Sequence, residues 1–231
     1  MVDSQGHGGG LAMSWKDRDE AKLMSYSTNH IDLEIFGRDN SKWRLTGFYG
    51  FPERNRRRQS WDSLRTLCSK SSRPWCCIGD YNDLLFPYEK RGGKDHPQWL
   101  FSGFREVVDD CSLLDLGMIG YPFTWECGRG TSNWIEDRFD RAMVTPNWSA
   151  MFRRSKVWNL EATASDHSPI FLEVVSQQFV QRVRRFRFEN SWLKEVNCHS
   201  IVAQSWQGSL GLSIERRMIC MDMTYKNEEI S

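Results

Sequence analysis

The chain has 231 residues, 39% of them hydrophobic, which is enough for one large domain or for one domain with an appendage. Its 31 basic and 30 acidic residues nearly cancel, which excludes a protein that is held on nucleic acid by net charge alone. The seven cysteines form no paired CxxC motifs, which disfavours a disulfide framework or a zinc site and indicates reduced thiols.

No apolar run is long enough to cross a membrane, and the first residues lack the charged and apolar regions of a signal peptide. We therefore expect no membrane partner and an intracellular protein, either nuclear or cytoplasmic.

The first half of the chain predicts sheet and helix in turn. Residues 11–15, after a glycine-rich start, and the alternating residues 43–49 are typical of strands. Apolar positions at helical spacing predict helices over residues 56–70 and 101–111. Between them, PWCCIGDYN is a short continuous apolar run, which is typical of a strand covered on both faces.

The second half adds four predicted strands, over residues 121–126, 137–144, 156–163 and 169–175. Strands with interleaved helices favour a layered α/β arrangement in the α+β class. After Val175 the pattern becomes basic and then amphipathic, so we predict a domain over residues 1–176 and a basic, helical linker over residues 177–231.

Polar side chains stand where several predicted strands end. They are Asp80 with Asn82, Asp140, and Asp166 with His167. Strand ends gather catalytic groups because the sheet is rigid and the loops leave the groups accessible. Asp and Asn offer hard oxygen ligands to Mg²⁺, and a histidine oriented by a carboxylate stabilises charge or moves a proton. Together they are suited to metal-assisted phosphodiester hydrolysis.

Each motif also has a purely structural interpretation. GDYN is a common turn composition, and SDH is a common capping composition. Asp140 lies between Arg138 and Arg141, a pattern typical of a surface ion pair, and Tyr49 is typical of sheet packing. Only the ordered set favours a functional site.

That ordered set resembles a known family. TGFYG, GDYND, YPFTWE, EDRFDRAMV and SDHSPIFLE, in this order and spacing, resemble the endonuclease/exonuclease/phosphatase superfamily. The blocks EKRGG, GYPFTW and FRFENSW narrow the resemblance to the endonuclease domain of plant-type LINE (non-LTR) retrotransposons. The resemblance implies a DNase I-like β-sandwich flanked by helices, and covers roughly residues 6 to 195.

The resemblance also implies roles for the residues that match its motifs. Tyr49 resembles the tyrosine that contacts the scissile phosphate. Asp80 resembles the aspartate that orients or deprotonates the attacking water, and Asn82 the asparagine that holds it. Asp140 resembles the aspartate that orients the catalytic histidine, which is His167 here, with Phe139 in place of the usual leucine.

For the metal, the resemblance implies Asp166 as a ligand, with help from Asp80 and Asn82. Members of the superfamily place an asparagine strand and a metal-binding glutamate strand before the region that GHGGGLAMSW matches. We expect this chain to lack those first strands, to bind Mg²⁺ or Mn²⁺ weakly and to be impaired in cleavage.

Two basic clusters favour DNA as the partner. Arg54 and residues 56–58 follow the first motif, and Lys90, Arg91 and Lys94 follow GDYN, so both are expected on a DNA-facing rim, although solvated surface is an equal alternative. The linker resembles the connection to the reverse transcriptase domain of full-length relatives.

Three functions stay open from the sequence: a Mg²⁺-dependent endonuclease, a non-catalytic nucleic-acid-binding remnant, and a phosphatase for small molecules. In each catalytic case we expect the site side chains to cluster at one end of the sheets. The hydrogen bond from Asp140 to His167 should measure about 2.6 to 3.2 Å.

Overall fold

A computed structural model describes residues 11–37, 41–160 and 165–175, together with positions 200, 203–204 and 206–207. The chain divides into two compact units, Met1–Gln177 and Gln178–Ser231. The architecture below is that of the first unit. The predicted helical linker over residues 177–231 lies outside the described residues, apart from those five positions.

Eleven strands and three α-helices are present in the described part of the first unit. In chain order the strands are β1 (Ala21–Tyr26), β2 (His30–Phe36), β3 (Lys42–Tyr49), β4 (Trp75–Asp80), β5 (Lys90–Arg91), β6 (Leu114–Asp115), β7 (Trp125–Cys127), β8 (Ile135–Asp137), β9 (Asp140–Val144), β10 (Lys156–Asn159) and β11 (Ile170–Glu173). The helices are α1 (Arg57–Ser69), α2 (Gln98–Asp110) and α3 (Pro146–Met151). The predicted α+β class is confirmed.

The strands form three sheets. A six-stranded sheet has the order β1-β2-β3-β4-β9-β6, and its only parallel pair is β3 with β4. A three-stranded sheet has the order β5-β8-β7, and β10 pairs with β11. Because α1 connects β3 to β4, the parallel pair has the helical crossover that such a pair requires.

The core lies on both faces of the six-stranded sheet. On one face Cys77 and Met143 pack with apolar residues of α1 and α2, among them Leu64 and Phe104. On the other face Cys76 packs against an aromatic cluster of Trp43, Trp148 and Phe152. Adjacent residues of β4 therefore serve opposite faces, and the predicted strand covered on both sides is confirmed.

The hairpin of β1 and β2 is absent from the sequence-based prediction. Residues 12–15, predicted as a strand, do not form one, and Leu11 and Met13 instead pack against Ala21 and Ile31 of the hairpin. The strand that precedes β3 therefore lies later in the chain than predicted. It is His30–Phe36, which pairs with β3 over seven residues.

Two predicted strands differ in extent. The strand predicted over residues 121–126 forms only at Trp125–Cys127, since Pro122 has no N–H to donate to a ladder. The strand predicted over residues 137–144 is two strands in two sheets. The change of sheet occurs at Arg138 and Phe139, and it sets where Asp140 begins β9. The strand predicted over residues 156–163 ends at Asn159, and residues 161–163 lie outside the described part.

Candidate active site

Three predicted site residues stand in a row across neighbouring strands. Tyr49 on β3 is opposite Asp80 on β4, and Asp80 is opposite Asp140 on β9. Residues opposite each other on paired strands project their side chains from the same face of the sheet. The sheet therefore brings a tyrosine and two carboxylates together where β3 and β4 end and β9 begins.

The turn after β4 has a specific backbone requirement. Gly79 has φ +146°, and a Cβ there would collide with the backbone oxygen of Phe48. Asn82 has φ 53°, a left-handed conformation that asparagine adopts more readily than most residues. The glycine and asparagine of GDYN thus satisfy the turn, and the turn orients both polar groups.

Asp80 and Asn82 are locked together. The Asn82 backbone N–H donates to Asp80 Oδ1 at 2.7 Å, and Asn82 Nδ2 donates to Asp80 Oδ2 at 2.7 Å. Asn82 Nδ2 also donates to the backbone oxygen of Gly50 at 3.0 Å, which joins the turn to the loop that follows β3. The pair is therefore held in one arrangement before any ligand arrives.

The surroundings of Asp80 favour its protonated form. Burial raises the pKa of Asp80 to about 7, and the neighbouring charge of Asp140 acts in the same direction. His167, the hydrogen bond from the Asn82 backbone and Arg57 oppose the shift. A carboxyl group that titrates near neutrality suits a general base at physiological pH.

Asp140 and His167 make the predicted hydrogen bond, with 2.9 Å between Asp140 Oδ2 and His167 Nδ1. Burial lowers the pKa of His167, but its hydrogen bond with Asp140 and the charges of Asp140, Asp80 and Asp166 outweigh burial and raise it. The imidazole is thus biased towards its charged form. Asp140 in turn fixes the ring orientation.

Thr124 is a site residue that the sequence analysis did not identify. Its hydroxyl accepts hydrogen bonds from the backbone N–H groups of Phe139, at 3.0 Å, and Asp140, at 2.9 Å. Its backbone oxygen accepts from the N–H of Ser168 at 2.7 Å. Thr124 thereby connects the start of β9 to the segment that carries His167. Thr124 belongs to the Gly120–Trp125 motif, but the motif alone indicates no role for this residue.

Asn29 is a second residue that was missed. Its Nδ2 donates to the backbone oxygen of Tyr49 at 2.7 Å, and the Tyr49 N–H donates to its backbone oxygen at 2.9 Å. The turn between β1 and β2 therefore supports Tyr49. No local pattern pointed to it, because the β1–β2 hairpin itself was not predicted.

Asp166 is exposed and lies close enough to raise the pKa of His167. Its Oδ2 accepts a hydrogen bond from Trp125 Nε1 at 3.0 Å. It borders an open groove of about 660 Å³ that is also lined by Tyr121, Trp125 and Trp134. The structure thus brings Asp166 to the edge of the site.

The donor set only partly fits a metal ion. Asp80, Asn82 and Asp166 supply the hard oxygens that Mg²⁺ prefers. Both carboxylate oxygens of Asp80 are engaged by Asn82, and no group of three or more His, Cys, Asp or Glu side chains in the described part of the chain could hold a metal. A cation here would need ligands from water and substrate phosphate.

The two arginines beside Asp140 are not its surface ion-pair partners. Arg141 is completely buried and donates to both carboxylate oxygens of Glu89 at 3.0 Å. Arg141 and Arg138 also each donate to Asp115. The alternation of β9 explains the difference, since Asp140 and Arg141 project from opposite faces. The arginines hold the loop before Glu89 against β9, behind the site.

The predicted basic rim is only partly exposed. Lys90 pairs with Asp137 at 3.1 Å, and Arg91 pairs with Glu136 and Tyr121. Arg57 is buried. The remaining predicted rim residues, Arg54, Arg58 and Lys94, are exposed, and Arg56 stacks on Phe51 with 3.5 Å from its guanidinium to the ring. Arg57 and Lys90 are therefore largely buried, whereas Arg91 is paired but exposed, and contact of these clusters with DNA stays a prediction.

Helix α1 supports both loops of the site. Ser60 Oγ accepts a hydrogen bond from the Phe51 N–H at 2.8 Å, and Trp61 Nε1 donates to Asp83 Oδ2 at 2.9 Å. Phe51 belongs to the loop after β3, and Asp83 to the turn after β4. The amphipathic helix thus positions the loops as well as covering the core.

The chain is similar to several solved structures. The endonuclease domain of TRAS1, a telomere-specific non-LTR retrotransposon, is 17% identical with a TM-score of 0.55, over 70% of this chain and 72% of that one. The catalytic domain of Xenopus laevis APE2 is 14% identical with a TM-score of 0.39, over 65% of this chain and 58% of that one. Humanized D. rerio TDP2 is 14% identical with a TM-score of 0.39, over 66% and 65%. The TRAS1 match confirms the predicted DNase I-like fold.

No curated protein matches the chain significantly. In the described part of the chain, no helix is long and apolar enough to cross a membrane. The model of the Endonuclease/Exonuclease/phosphatase family matches residues 2–167, a span that includes Tyr49, the GDYN turn, Asp140 and His167. The chain therefore belongs to the endonuclease/exonuclease/phosphatase family.

Proposed function

We propose that the chain is an endonuclease domain of non-LTR retrotransposon origin that hydrolyses phosphodiester bonds in DNA. The observation that carries the proposal is the row of Tyr49, Asp80 and Asp140, with His167 hydrogen bonded to the last of them at 2.9 Å. The row combines a proton acceptor, a cation and a hydroxyl within one side of the sheet. The fold of the TRAS1 endonuclease domain supports the retrotransposon origin.

In the proposed reaction Asp80 takes a proton from the attacking water. The water oxygen forms a bond to phosphorus, the bond from phosphorus to the leaving sugar oxygen breaks, and that oxygen takes up a proton from solvent. Asn82 holds Asp80 in position, and His167 in its charged form stabilises the negative charge that develops on the phosphate oxygens. Tyr49 contacts the phosphate.

A divalent cation, Mg²⁺ or Mn²⁺, would add Lewis-acid stabilisation of the same charge. Asp166, with Asp80 and Asn82, would hold it in this chain. Because these residues form no complete ligand set in the described part, we propose that binding is weak and that cleavage is slow. The same observation supports a second candidate, a non-catalytic domain that binds nucleic acid.

Nicking of supercoiled plasmid, with protein in excess and millimolar Mg²⁺ or Mn²⁺, tests the proposal. We expect slow nicking that rises with protein concentration and disappears in His167→Ala and Asp80→Ala, but not in Asp95→Ala, which changes an exposed carboxylate. Equal nicking by all four proteins would reject the proposed site. Salt-sensitive DNA binding without nicking in either metal would favour the second candidate.

The linker role of residues 177–231 stays a proposal as well. A basic segment there would connect the nuclease domain to a reverse transcriptase domain in a longer protein. Fusion of that domain should leave the pattern of nicking and its dependence on His167 unchanged.

A further inference from the structure

Arg57 is a buried cation whose burial the fold does not explain. The residue is 5% exposed, and its Nη2 donates to the backbone oxygen of Pro52 at 3.1 Å. Its Nε and Nη1 are also buried and have no hydrogen-bond partner in the described part of the chain. Buried guanidinium N–H groups without acceptors destabilise a fold, so the arrangement calls for a ligand or a hidden partner.

The position of Arg57 strengthens the case for a ligand. It is the first residue of the 13-residue helix α1, whose first turn contains no acidic residue and whose N-cap, Arg56, makes no capping hydrogen bond through its side chain. A helix N-terminus carries partial positive charge and stabilises anions. Cations in that turn are unfavourable for the helix alone and favourable once an anion binds.

The same end of α1 adjoins the candidate active site. The loop that leads to it is joined to the GDYN turn, since the Gly50 N–H donates to the backbone oxygen of Asp80 at 2.7 Å. Burial lowers the pKa of Arg57, and the charges of Asp83 and Asp80 oppose that shift. Yet Arg57 forms no ion pair within 4.0 Å with either one in the described part of the chain. The cation therefore feels both carboxylates but makes a direct ion pair with neither in the described residues.

We propose that Arg57 and the N-terminal end of α1 form an anion subsite that binds a phosphate oxygen of a polynucleotide next to the phosphate that is cleaved. The identity of the ligand as a polynucleotide rests on the proposed function. Pro52, which accepts the one side-chain hydrogen bond that Arg57 makes within the described residues, is exposed together with Glu53 and Arg54. A bound phosphate oxygen would replace the Pro52 oxygen as the acceptor for Arg57 Nη2, and Pro52 lies in a surface loop. The competing explanation is a water-mediated contact to Asp83 or Asp80, in which case Arg57 stabilises the fold.

Thermal unfolding with and without inorganic phosphate, at constant ionic strength, separates these explanations. We expect Arg57→Met to unfold at the same or a higher temperature than wild type without phosphate, because it removes a buried charge that makes no direct ion pair in the described residues. Phosphate should raise the midpoint of wild type and of the exposed control Arg58→Met, but not that of Arg57→Met. A midpoint several degrees lower for Arg57→Met, or phosphate stabilisation that is equal in all three proteins, would overturn the subsite.

Binding of short DNA duplexes, measured in EDTA, tests whether the bound anion is a phosphate of a polynucleotide. Each duplex carries one neutral methylphosphonate at a different position. We expect one position, beside the scissile phosphate, at which neutralisation weakens wild-type binding about tenfold. That sensitivity should disappear in Arg57→Met and persist in Arg58→Met. A wild-type protein without a sensitive position would overturn the polynucleotide subsite, even if it still bound inorganic phosphate.

The two proposals fail separately. If neutralisation of one phosphate weakens DNA binding through Arg57 but the protein does not nick DNA, the subsite is supported and the cleavage proposal is rejected. Nicking that depends on His167, with no position sensitive to Arg57, would retain cleavage and reject the subsite.

Discussion

Asp80 and Asp140 stand directly opposite each other on the antiparallel strands β4 and β9. Two carboxylates so placed disfavour simultaneous ionisation, and each has a partner that reduces the conflict. Asn82 donates to Asp80, and His167 shares a hydrogen bond with Asp140. The two residues thus differ in their surroundings: burial raises the pKa of Asp80 to about 7, and the hydrogen bond with Asp140 raises the pKa of His167.

The pKa of Asp80 predicts a pH dependence of stability. Since burial raises that pKa to about 7 from 3.8, the folded protein binds a proton that the unfolded chain releases between these values. Stability from this group is complete below pH 3.8 and is lost as pH rises through about 7. Asp80→Asn removes this titration, so the variant should gain stability relative to wild type between pH 5 and pH 8, by up to about 3 kcal/mol.

Urea unfolding at both values of pH measures this effect. His167 contributes with the same sign, because its raised pKa also makes the folded protein bind a proton more tightly. Asp95→Asn, at an exposed carboxylate, is the control and should leave the pH dependence as in wild type. An identical pH dependence in wild type and Asp80→Asn would contradict the prediction.

The hydrogen bond with Asp140 predicts the titration of His167. Asp140→Asn removes the charge that raises the pKa of His167, while the burial that lowers it stays. The pKa of His167 should therefore fall. NMR titration of the imidazole protons measures it, with His167→Ala to assign the signal among the five histidines. An unchanged pKa would mean that the observed hydrogen bond does not set the charge of the ring.

Gly79 predicts a steric effect on the GDYN turn. Gly79→Ala introduces a Cβ at φ +146°, against the backbone oxygen of Phe48, and should cost more than about 2 kcal/mol. Gly130→Ala is the matched control, since it has φ +77° with nothing within 4 Å, and should cost only about 1 kcal/mol. Denaturant unfolding compares the two. Equal costs would show that the turn can relax away from β3.

Glu89 predicts a large effect on stability behind the site. Glu89→Gln removes the negative charge that Arg138 and Arg141 share, and should destabilise the fold by about 3 to 5 kcal/mol because it leaves buried charge uncompensated. Glu106→Gln, at an exposed position of α2, should stay within about 0.5 kcal/mol of wild type. A cost for Glu89→Gln as small as that of Glu106→Gln would indicate that water reaches the network.

Local periodicity was enough to predict β3, β4, α1 and α2, since each of them buries one face or both along a short continuous segment. Strands β3 and β4 also end in Tyr49 and Asp80, whose chemistry can be considered from the sequence alone. For this reason the order and spacing of GDYN, RFD and SDH pointed to Asp80, Asp140 and His167 as a group. The hydrogen bond between the last two was predicted from that order.

Tertiary structure decided which charged residues face solvent and which are interior. Arg141 is buried against Glu89, which lies 52 positions earlier in the chain. Lys90 is paired with Asp137, which lies 47 positions later. The change of sheet at Arg138 and Phe139 likewise depends on distant acceptors, since their backbone N–H groups donate to the Glu89 backbone oxygen and the Thr124 hydroxyl. A local sequence pattern carries no information about partners that are so far apart in the chain. The sequence by itself therefore predicts which residues are charged but not which of them are buried.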